Sequence, residues 1–428
     1  MRKLLKLILK ILAKRIIIRY RPTVIGITGS VGKTTAKEAI FAVLSRKFWV
    51  CKNEENYNNE FGVPMAVLML QPGGRGMLYW PSVLIKSAWL AYGPFKSSYP
   101  EMLVLELAAD KPGDIDYLVG VVGPKVGVVT AVGEVPVHIE FYASPQAVAQ
   151  EKSKLIAQLP SEGLAVLNYD DQTVLDMKEK SKAKVVTFGL SDSADIRASD
   201  INYFINEQPK PSGDIAQHPK RIGGLAFKLN SESAFVPARI NNLIGVHQLY
   251  AVLAAVAVGQ HFGINLIDAA GVLENINLPK QRMNLACGIK NSILIDDTYN
   301  ASPISMHAAL DTLRDFAPAH ARLGHKSRRI AVLGDMKELG KYELEAHRTI
   351  GNFAAGCCDI LVTVGGAGKI IADSAANQMA KENIFSFSTS EEAAPRVQEI
   401  IQEDDIVLIK GSRAMKMEKV VDEIKESG

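Results

Sequence analysis

The sequence predicts an α/β protein whose first, mainly parallel sheet carries a phosphate-binding loop and whose second α/β unit follows it. Apolar strand-like runs alternate with helix-favouring segments along most of the chain, as in doubly wound sheets. The run 24–27 passes through a glycine turn directly into a helical segment. The alternation restarts after a break at 278–280. A chain of 428 residues is too long for one ordinary core, so we expect several domains.

The N-terminal segment is basic and apolar, and we assign residues 1–22 to an amphipathic helix. Residues 1–21 contain eight basic residues and no acid, and the charges interrupt the apolar residues too often for a membrane-spanning helix. No small-residue cleavage site follows, so a removed signal peptide is not expected. Two interpretations stay open. The helix docks on the protein with a solvated basic face, or it lies on an anionic membrane surface.

The loop after the first strand has the composition of a phosphate cradle. Gly29 and Gly32 allow backbone N–H groups to surround phosphate oxygens at the start of a helix. Lys33 can reach the outer phosphates, and the hydroxyl of Thr34 suits Mg²⁺. Ile27 occupies the position of the first glycine of a full P-loop, so the motif is the shorter G-x-x-G-K-T form.

Three polar features follow apolar runs where open α/β sheets place their sites. The asparagine-rich segment 53–64 is either a plain loop or a ligand-facing one. Glu106 ends an apolar strand and is either a Mg²⁺ ligand or a salt-bridged acid. A lone histidine is more often structural than a ligand, but His138 directly follows another apolar strand and has Glu140 beside it, which strengthens the functional interpretation.

Two segments are predicted as inserts in the first unit. Residues 71–101 are rich in aromatic side chains, which are either buried or form an interfacial patch. Residues 192–240 change to short polar alternations, which predicts a small antiparallel insert with a loop at 206–224. The second unit, 279–428, has no phosphate cradle, so we expect it to face the first unit across a cleft.

Charge and cysteine content exclude some functions. The net charge of +3 gives no argument for nucleic-acid binding. No cysteine or histidine cluster has zinc spacing. The four cysteines therefore favour free thiols in a reducing cytoplasm.

Seven separated motifs together resemble the Mur ligase family, most closely its MurF type, over residues 23–428. They are ITGSVGKTT (27–35), NEENYNNEFGVP (53–64), LELAADKPGDI (105–115), GEVPVHIEFYAS (133–144), IDDTYNASPISMHAALDTL (295–313), LGDMKELG (333–340) and KGSRAMKMEKVV (410–421). The resemblance implies a central ATP-binding domain at 23–278 and a Rossmann-like C-terminal domain at 279–428.

The resemblance also implies roles for individual residues. The ATP-binding residues would be Gly29, Ser30, Val31, Gly32, Lys33, Thr34, Thr35, His247, Arg282 and Asp297. The metal-binding residues would be Thr34, Glu106, His138 and Lys152, the last as a carbamate able to hold a second Mg²⁺. The catalytic residues would be Lys33, His138, Lys152 and Asn300, and the substrate-binding residues Asn58, Asn59, Asp335, Lys410 and Arg413.

The implied activity is ATP-dependent addition of D-alanyl-D-alanine to a UDP-muramoyl tripeptide through an acyl phosphate. The cofactors would be ATP, two Mg²⁺ ions and the carbamylated lysine. Two alternatives remain: a related ligase with a folylpolyglutamate- or cyanophycin-like substrate, and a non-catalytic nucleotide-binding scaffold at the membrane.

Two departures from the family pattern bear on these expectations. The cradle begins after about 22 residues, so the UDP-binding N-terminal domain is expected to be missing. A partner protein, the segment 71–101 or a membrane-linked substrate would then compensate for it. Gln248 and Ala251 stand where the family commonly has asparagines near adenine. They weaken the assignment of the base site and leave that of the phosphate site intact.

Overall fold

The computed structural model describes residues 2–54, 56–70, 79–94, 98–136, 138–206, 221–232, 234–321 and 327–426. These residues form two large, mainly parallel sheets flanked by helices, so the predicted α/β fold class is confirmed. Parts of the predicted inserts, residues 71–78, 95–97, 207–220 and 233, lie outside the described residues.

The first sheet has the strand order β2-β3-β1-β4-β5-β6-β7-β8-β9. Its strands are β1 (Thr23–Thr28), β2 (Val50–Lys52), β3 (Met102–Glu106), β4 (Val126–Val129), β5 (Leu164–Asn168), β6 (Lys184–Gly189), β7 (Ile196–Asn206), β8 (Arg221–Ser231) and β9 (Ala234–Asn241). Its helices are α1 (Arg2–Tyr20), α2 (Lys33–Leu44), α3 (Gly62–Val67), α4 (Tyr79–Tyr92), α5 (Asp114–Val122), α6 (Pro145–Ala157), α7 (Gln172–Leu175), α8 (Leu249–His261) and α9 (Leu266–Leu273).

The second sheet has the order β10-β11-β15-β12-β13-β14 and is parallel except for the pair β10 and β11. Its strands are β10 (Asn284–Cys287), β11 (Ile293–Asp297), β12 (Arg329–Gly334), β13 (Ile360–Val364), β14 (Ile384–Phe387) and β15 (Ile406–Lys410). Its helices are α10 (Pro303–Ala321), α11 (Glu343–Ala354), α12 (Gly368–Ala375), α13 (Ser390–Ile400) and α14 (Glu418–Ile424).

Helices cover both faces of the first sheet, which explains why its central strands are apolar along their whole length. Helices α2 and α8 pack on one face with residues such as Ile40 and Val256, and α1, α3 and α5 pack on the other. The parallel strands β1, β3 and β4 end together, so the loops after Thr28, Glu106 and Val129 meet at one edge.

The antiparallel insert predicted at 192–240 is present as strands β7, β8 and β9, but β8 begins at Arg221, inside the loop predicted at 206–224. Strand β7 also pairs in parallel with β6, so these strands extend the main sheet. The helix after β9 does not begin directly at the end of that strand. Asn242 has a positive φ of 60° and Gly245 is extended, so α8 begins only at Leu249.

Helix α1 docks on the protein through Leu9, Leu12, Ala13 and Ile16, which are buried. Its predicted basic face is not uniformly solvated, because Lys6 and Lys10 lie over the ring of Tyr117 in α5 at 4.2 and 4.7 Å. In the described part of the chain, no helix combines the length and apolar character needed to cross a membrane. The domain boundaries near 22 and 278 stay predictions, although α1 ends just before β1 and residue 279 separates the two sheets.

Candidate active site

The phosphate-type loop is held tightly against the end of β4. Gly29 has a φ of +146°, and a Cβ atom there would lie 2.1 Å from Thr130 Oγ1. Thr130 Oγ1 donates to the carbonyl of Val31 at 2.6 Å, and Ser30 N donates to the carbonyl of Ala131 at the same distance. Since no side chain fits at residue 29, the loop conformation requires glycine there.

The amino end of α2 points its N–H groups at this loop. Gly32 is the N-cap residue with a φ of +82°, and it has no side chain to accept the first N–H groups of the helix. These donors and the positive end of the helix dipole make an anion site. Lys33 Nζ donates to the carbonyls of Gly29 and Ser30 at 2.9 and 3.3 Å, so the ammonium lies at the same loop. Burial lowers the pKa of Lys33, although the Glu106 carboxylate opposes this effect.

Glu106 faces Thr34 across the loop and is only 5% exposed. Thr34 Oγ1 donates to Glu106 Oε2 at 3.0 Å, and Asn58 Nδ2 donates to Glu106 Oε1 at 3.0 Å. Arg282, from the segment before the second sheet, donates from Nη2 to Thr34 Oγ1 at 3.2 Å. Carboxylate and hydroxyl oxygens therefore converge beside the phosphate-type loop, and these are the ligands that Mg²⁺ prefers.

Asn53 fixes the main chain of Glu106. Its Oδ1 accepts from Glu106 N at 2.9 Å, and its Nδ2 donates to Glu106 O at 3.1 Å. The buried Lys37 in turn donates from Nζ to the carbonyl of Asn53 at 2.8 Å. The end of β3 is thus braced by side chains that lie behind the carboxylate.

Lys152 projects from α6 and is 1% exposed. Burial, reinforced by the charge of Lys33, lowers its pKa from 10.5 to about 7. Asp110 and Glu151 act in the opposite direction but do not compensate. A lysine of this kind is substantially neutral near pH 7, so its amine is nucleophilic.

His138 joins the two halves of the structure. It has a positive φ of 63°, and its Nε2 lies 3.5 Å from Asp110 Oδ1. Its Nδ1 contacts the carboxylate of Glu338, from the segment after β12, and this hydrogen bond lowers the pKa of Glu338. Two carboxylates therefore engage the imidazole. Within the described residues, no group of three or more histidine, cysteine or acidic side chains has the arrangement of a metal site.

The second sheet contributes a buried ion pair at the carboxyl ends of β11 and β15. Lys410 Nζ donates to Asp297 Oδ2 at 2.6 Å and to the carbonyl of Asn300 at 2.9 Å. Nearby, burial lowers the pKa of His247 to about 4, so its imidazole is neutral at physiological pH. Gln248 donates from Nε2 to the carbonyl of Arg282 at 3.1 Å. Among the described residues, its buried Oε1 has no hydrogen-bond partner.

One cavity of about 1070 Å³ brings most of these residues together. The predicted site residues that line it are Ser30, Val31, Gly32, Lys33, Thr34, Thr35, Asn58, Glu106, His138, Lys152, His247, Arg282, Asp297, Asn300 and Lys410. Both sheets thus open onto the same cavity. Sequence reasoning gave no role to Tyr299, which also lines it. The guanidinium of Arg282 lies 4.1 Å from its ring centre, and its hydroxyl contacts Asn56.

Four predicted residues do not belong to the lining. Gly29 belongs to the phosphate-type loop but faces Thr130. Asn59 Oδ1 accepts from the backbone N–H groups of Phe61 and Gly62 at the start of α3. Arg413 donates to Gln281 Oε1 at 2.8 Å.

Asp335 is the fourth residue and is almost fully buried. Its Oδ1 accepts from Gly368 N at 2.6 Å, and its Oδ2 accepts from Lys337 Nζ at 2.7 Å. The structure thus gives the carboxylate local partners in the second sheet.

Comparisons with known proteins agree with this arrangement. The family models for the Mur ligase middle domain and for the Mur ligase glutamate ligase domain match residues 93–259 and 281–413. The UDP-N-acetylmuramoyl-tripeptide–D-alanyl-D-alanine ligase of Bacillus subtilis is 28% identical over 97% of this chain and 79% of its own length. The protein of the same name from Synechocystis is 31% identical over 78% of this chain and 59% of its own length.

Solved structures are similar over nearly the whole chain. MurF from Acinetobacter baumannii superposes with a TM-score of 0.76 at 26% identity, covering 97% of this chain and 80% of that protein. MurF ligase from Thermotoga maritima in complex with ADP gives 0.74 at 25% identity, covering 97% and 82%. The order of the motifs, the two sheets around one cavity and these similarities lead to one conclusion: the chain belongs to the Mur ligase family.

Proposed function

We propose that the protein is an ATP-dependent amide ligase that joins D-alanyl-D-alanine to a UDP-muramoyl tripeptide. One observation carries the proposal. The phosphate-type loop, a buried carboxylate and a buried low-pKa lysine of the first half share a cavity with polar groups of the second half. Phosphoryl transfer to a carboxylate needs such a convergence of phosphate, metal and acceptor sites.

ATP would be held by residues from both halves of the structure. The N–H groups of residues 31–35 at the start of α2 and the ammonium of Lys33 suit its phosphates. The nucleoside would lie towards His247, Arg282 and Asp297, which line the same cavity. The unpartnered Gln248 Oε1 can accept a hydrogen bond from a base amine, so the amide is compatible with adenine.

Mg²⁺ fits the oxygen-rich side of the loop. Thr34 and Glu106 would hold one ion, since both are hard oxygen donors beside the phosphate-type loop. His138 and Lys152 would hold a second, with Lys152 carbamylated. Bound Mg²⁺ would offset the negative charge that builds up during phosphoryl transfer.

The environment of Lys152 supports the proposed carbamylation. A neutral amine attacks CO₂ and loses a proton, which creates a carboxylate-like anion on the side chain. The lowered pKa supplies the neutral amine near pH 7, whereas an exposed lysine would be almost entirely protonated. The neighbouring charge of Lys33 would stabilise the resulting anion.

The reaction divides into two steps. A substrate carboxylate oxygen attacks the γ-phosphorus, and the bond to the ADP oxygen breaks as the acyl phosphate forms. The amine nitrogen of D-alanyl-D-alanine then attacks the acyl carbon, loses a proton and expels phosphate. Lys33 would hold the transferring phosphoryl group, and the second half of the protein would exclude water. The proposed acceptor contacts are Asn58 and Lys410, which line the cavity, and Asn59, Asp335 and Arg413, which lie outside its lining. Asn300, which also lines the cavity, is a proposed catalytic residue.

Phosphate release tests the proposal. We expect rapid release from ATP only when Mg²⁺, UDP-muramoyl tripeptide and D-alanyl-D-alanine are all present, with an amide product detected by mass spectrometry. Release independent of both substrates would overturn the ligase assignment. Release with glutamate and a different carboxylate would support the folylpolyglutamate-like alternative, and nucleotide binding without turnover would support the scaffold.

Variants of Lys152 test the carbamate. Lys152→Ala should lose ligation, and a small carboxylate in the buffer should restore part of it. Full activity of the unsupplemented variant would exclude the carbamate. Lys154→Ala, two residues away in the same helix, is the matched control because its ammonium pairs with Asp116 and Glu151 and does not line the cavity. We place the reaction in the cytoplasm, where ATP is available and thiols stay reduced.

A further inference from the structure

Helix α1 carries an apolar stripe that its docking on the protein leaves uncovered. Leu4, Leu7, Ile11 and Ile18 follow the helical period on the side opposite the buried Leu9 and Ile16, and each is at least half exposed. Single exposed apolar residues are ordinary, but a stripe along a whole helix indicates a contact surface.

Helix α4 extends this stripe with aromatic residues. Ile85, Trp89 and Tyr92 are each more than half exposed, and Trp80 is 37% exposed. Arg19 of α1 donates to the carbonyl oxygens of Ala91 and Gly93 at 2.8 and 2.6 Å, which fixes the end of α1 against the end of α4.

The guanidinium of Arg15 in α1 lies 5.6 Å from the ring centre of Tyr92 in α4. The exposed sides of the two helices therefore adjoin at this end. We call the outward residues of α1 and α4 the two-helix surface.

The charged side chains of the two-helix surface are all basic. Helices α1 and α4 contain no acidic residue, and Lys3, Lys14, Arg15 and Lys86 are exposed among the apolar side chains. Residues 1–21 alone hold eight basic residues, although the whole chain has a net charge of only +3. The rest of the protein is therefore net negative, and the positive charge is concentrated on one helix.

We propose that the two-helix surface docks in the plane of an anionic lipid bilayer. Leucine and isoleucine would enter the acyl boundary, tryptophan and tyrosine would lie at the headgroup level, and the basic side chains would pair with lipid phosphates. The surface suits an anionic bilayer because it has apolar side chains for the acyl region, aromatic side chains for the headgroup region and basic side chains for the lipid phosphates. It has no acidic side chain that the anionic lipids would repel. The docking is independent of the ligase reaction and needs no nucleotide.

Vesicle flotation of the full chain tests the docking without ATP. We expect binding to vesicles of phosphatidylglycerol, little binding to phosphatidylcholine, and a loss of binding as salt is raised. Lys3→Gln with Lys14→Gln should weaken binding about thirtyfold at low salt. Ile85→Ser with Trp89→Ser should weaken it at least tenfold. Neither pair lies in the catalytic cavity.

Matched controls come from other exposed positions. Lys178→Gln with Lys182→Gln, and Phe235→Ser with Ile267→Ser, should leave vesicle binding unchanged. In a Trp49→Phe variant both remaining tryptophans belong to α4, so their emission should shift to the blue on anionic vesicles.

Three outcomes would overturn the proposal. The first is binding to neutral vesicles as strong as binding to anionic ones. The second is a loss of binding in the control pairs as large as in the surface pairs, and the third is no vesicle binding at all. A dimer or a stable protein complex that the surface variants disrupt, in a chain that does not bind vesicles, would assign the surface to a protein partner instead.

Discussion

Replacing Lys152 by methionine should separate the stability of the fold from its activity. Methionine keeps the unbranched side chain and nearly the same volume but removes the amine from the core. We expect the Lys152→Met variant to lose ligation and, near neutral pH, to be more stable than the wild type. The reason is that the folded protein holds this amine where its ammonium form is poorly solvated.

The size of the effect follows from the lowered pKa. The value falls from 10.5 to about 7 on folding, and one pKa unit corresponds to about 1.4 kcal/mol. Below pH 7 the lysine should therefore lower the free energy of unfolding by about 4–5 kcal/mol. Between pH 7 and 10.5 the unfolded chain binds more protons than the folded one, so this destabilisation disappears as the pH rises.

The assay is urea unfolding of both proteins between pH 6 and 10, in degassed buffers free of bicarbonate so that no carbamate forms. The stability difference should be largest at pH 6 and should fall to about 1 kcal/mol at pH 10. Lys154→Met is the control. The pKa of Lys154 is raised by its hydrogen bonds to Asp116 and Glu151, so its contribution is constant below pH 10. If the difference between wild type and Lys152→Met does not change with pH, the buried-amine argument is wrong.

Three further predictions concern the loop, the metal side and the ion pair. Gly29→Ala should abolish ATP binding and lower the melting temperature, because the new Cβ would clash with Thr130. Gly113→Ala is the control, and it should lower the melting temperature less because the space around residue 113 is open. Glu106→Gln should reduce ligation at least a hundredfold and raise the Mg²⁺ concentration at half-maximal rate, while the fold stays intact by circular dichroism. Asp297→Asn should cost about 3–5 kcal/mol in urea unfolding by leaving the ammonium of Lys410 unpaired, and adding Lys410→Met should recover part of this loss. An unchanged melting temperature of Gly29→Ala would contradict the first argument, and an unchanged Mg²⁺ response of Glu106→Gln the second. Strictly additive effects of Asp297→Asn and Lys410→Met on the free energy of unfolding would contradict the third.

The sequence predicts the strands and the phosphate-type loop well because their signals are local. Apolar runs such as 102–106 mark strands buried on both faces, and the pair Gly29 and Gly32 marks a turn with positive φ. The positions of Glu106 at the end of β3 and Asp297 at the end of β11 follow from the strand pattern, since parallel sheets place their sites at the carboxyl ends of strands. Lys152 reaches the same cavity from helix α6, so its place depends on how that helix packs.

Other features depend on tertiary contacts that no local pattern encodes. The parallel pairing of β7 with β6 rests on a short register, and it makes the antiparallel strands part of the main sheet. The contact of His138 with Glu338 joins residues two hundred positions apart. The role of Tyr299 depends on the arrangement of Arg282 and Asn56 around it. The contacts of His138 and Tyr299 arise only when both halves of the chain are folded.

The two hydrogen bonds between the Asn53 side chain and the main chain of Glu106 have a consequence for the proposed binding of a cation by the Glu106 carboxylate. Both hydrogen bonds go to backbone atoms, so they orient the strand end without occupying the carboxylate oxygens. The entropic cost of ordering Glu106 therefore arises during folding, and it does not reduce the free energy of binding a cation later. The affinity of the proposed Mg²⁺ site should therefore depend on Asn53, although Asn53 is not one of its proposed ligands.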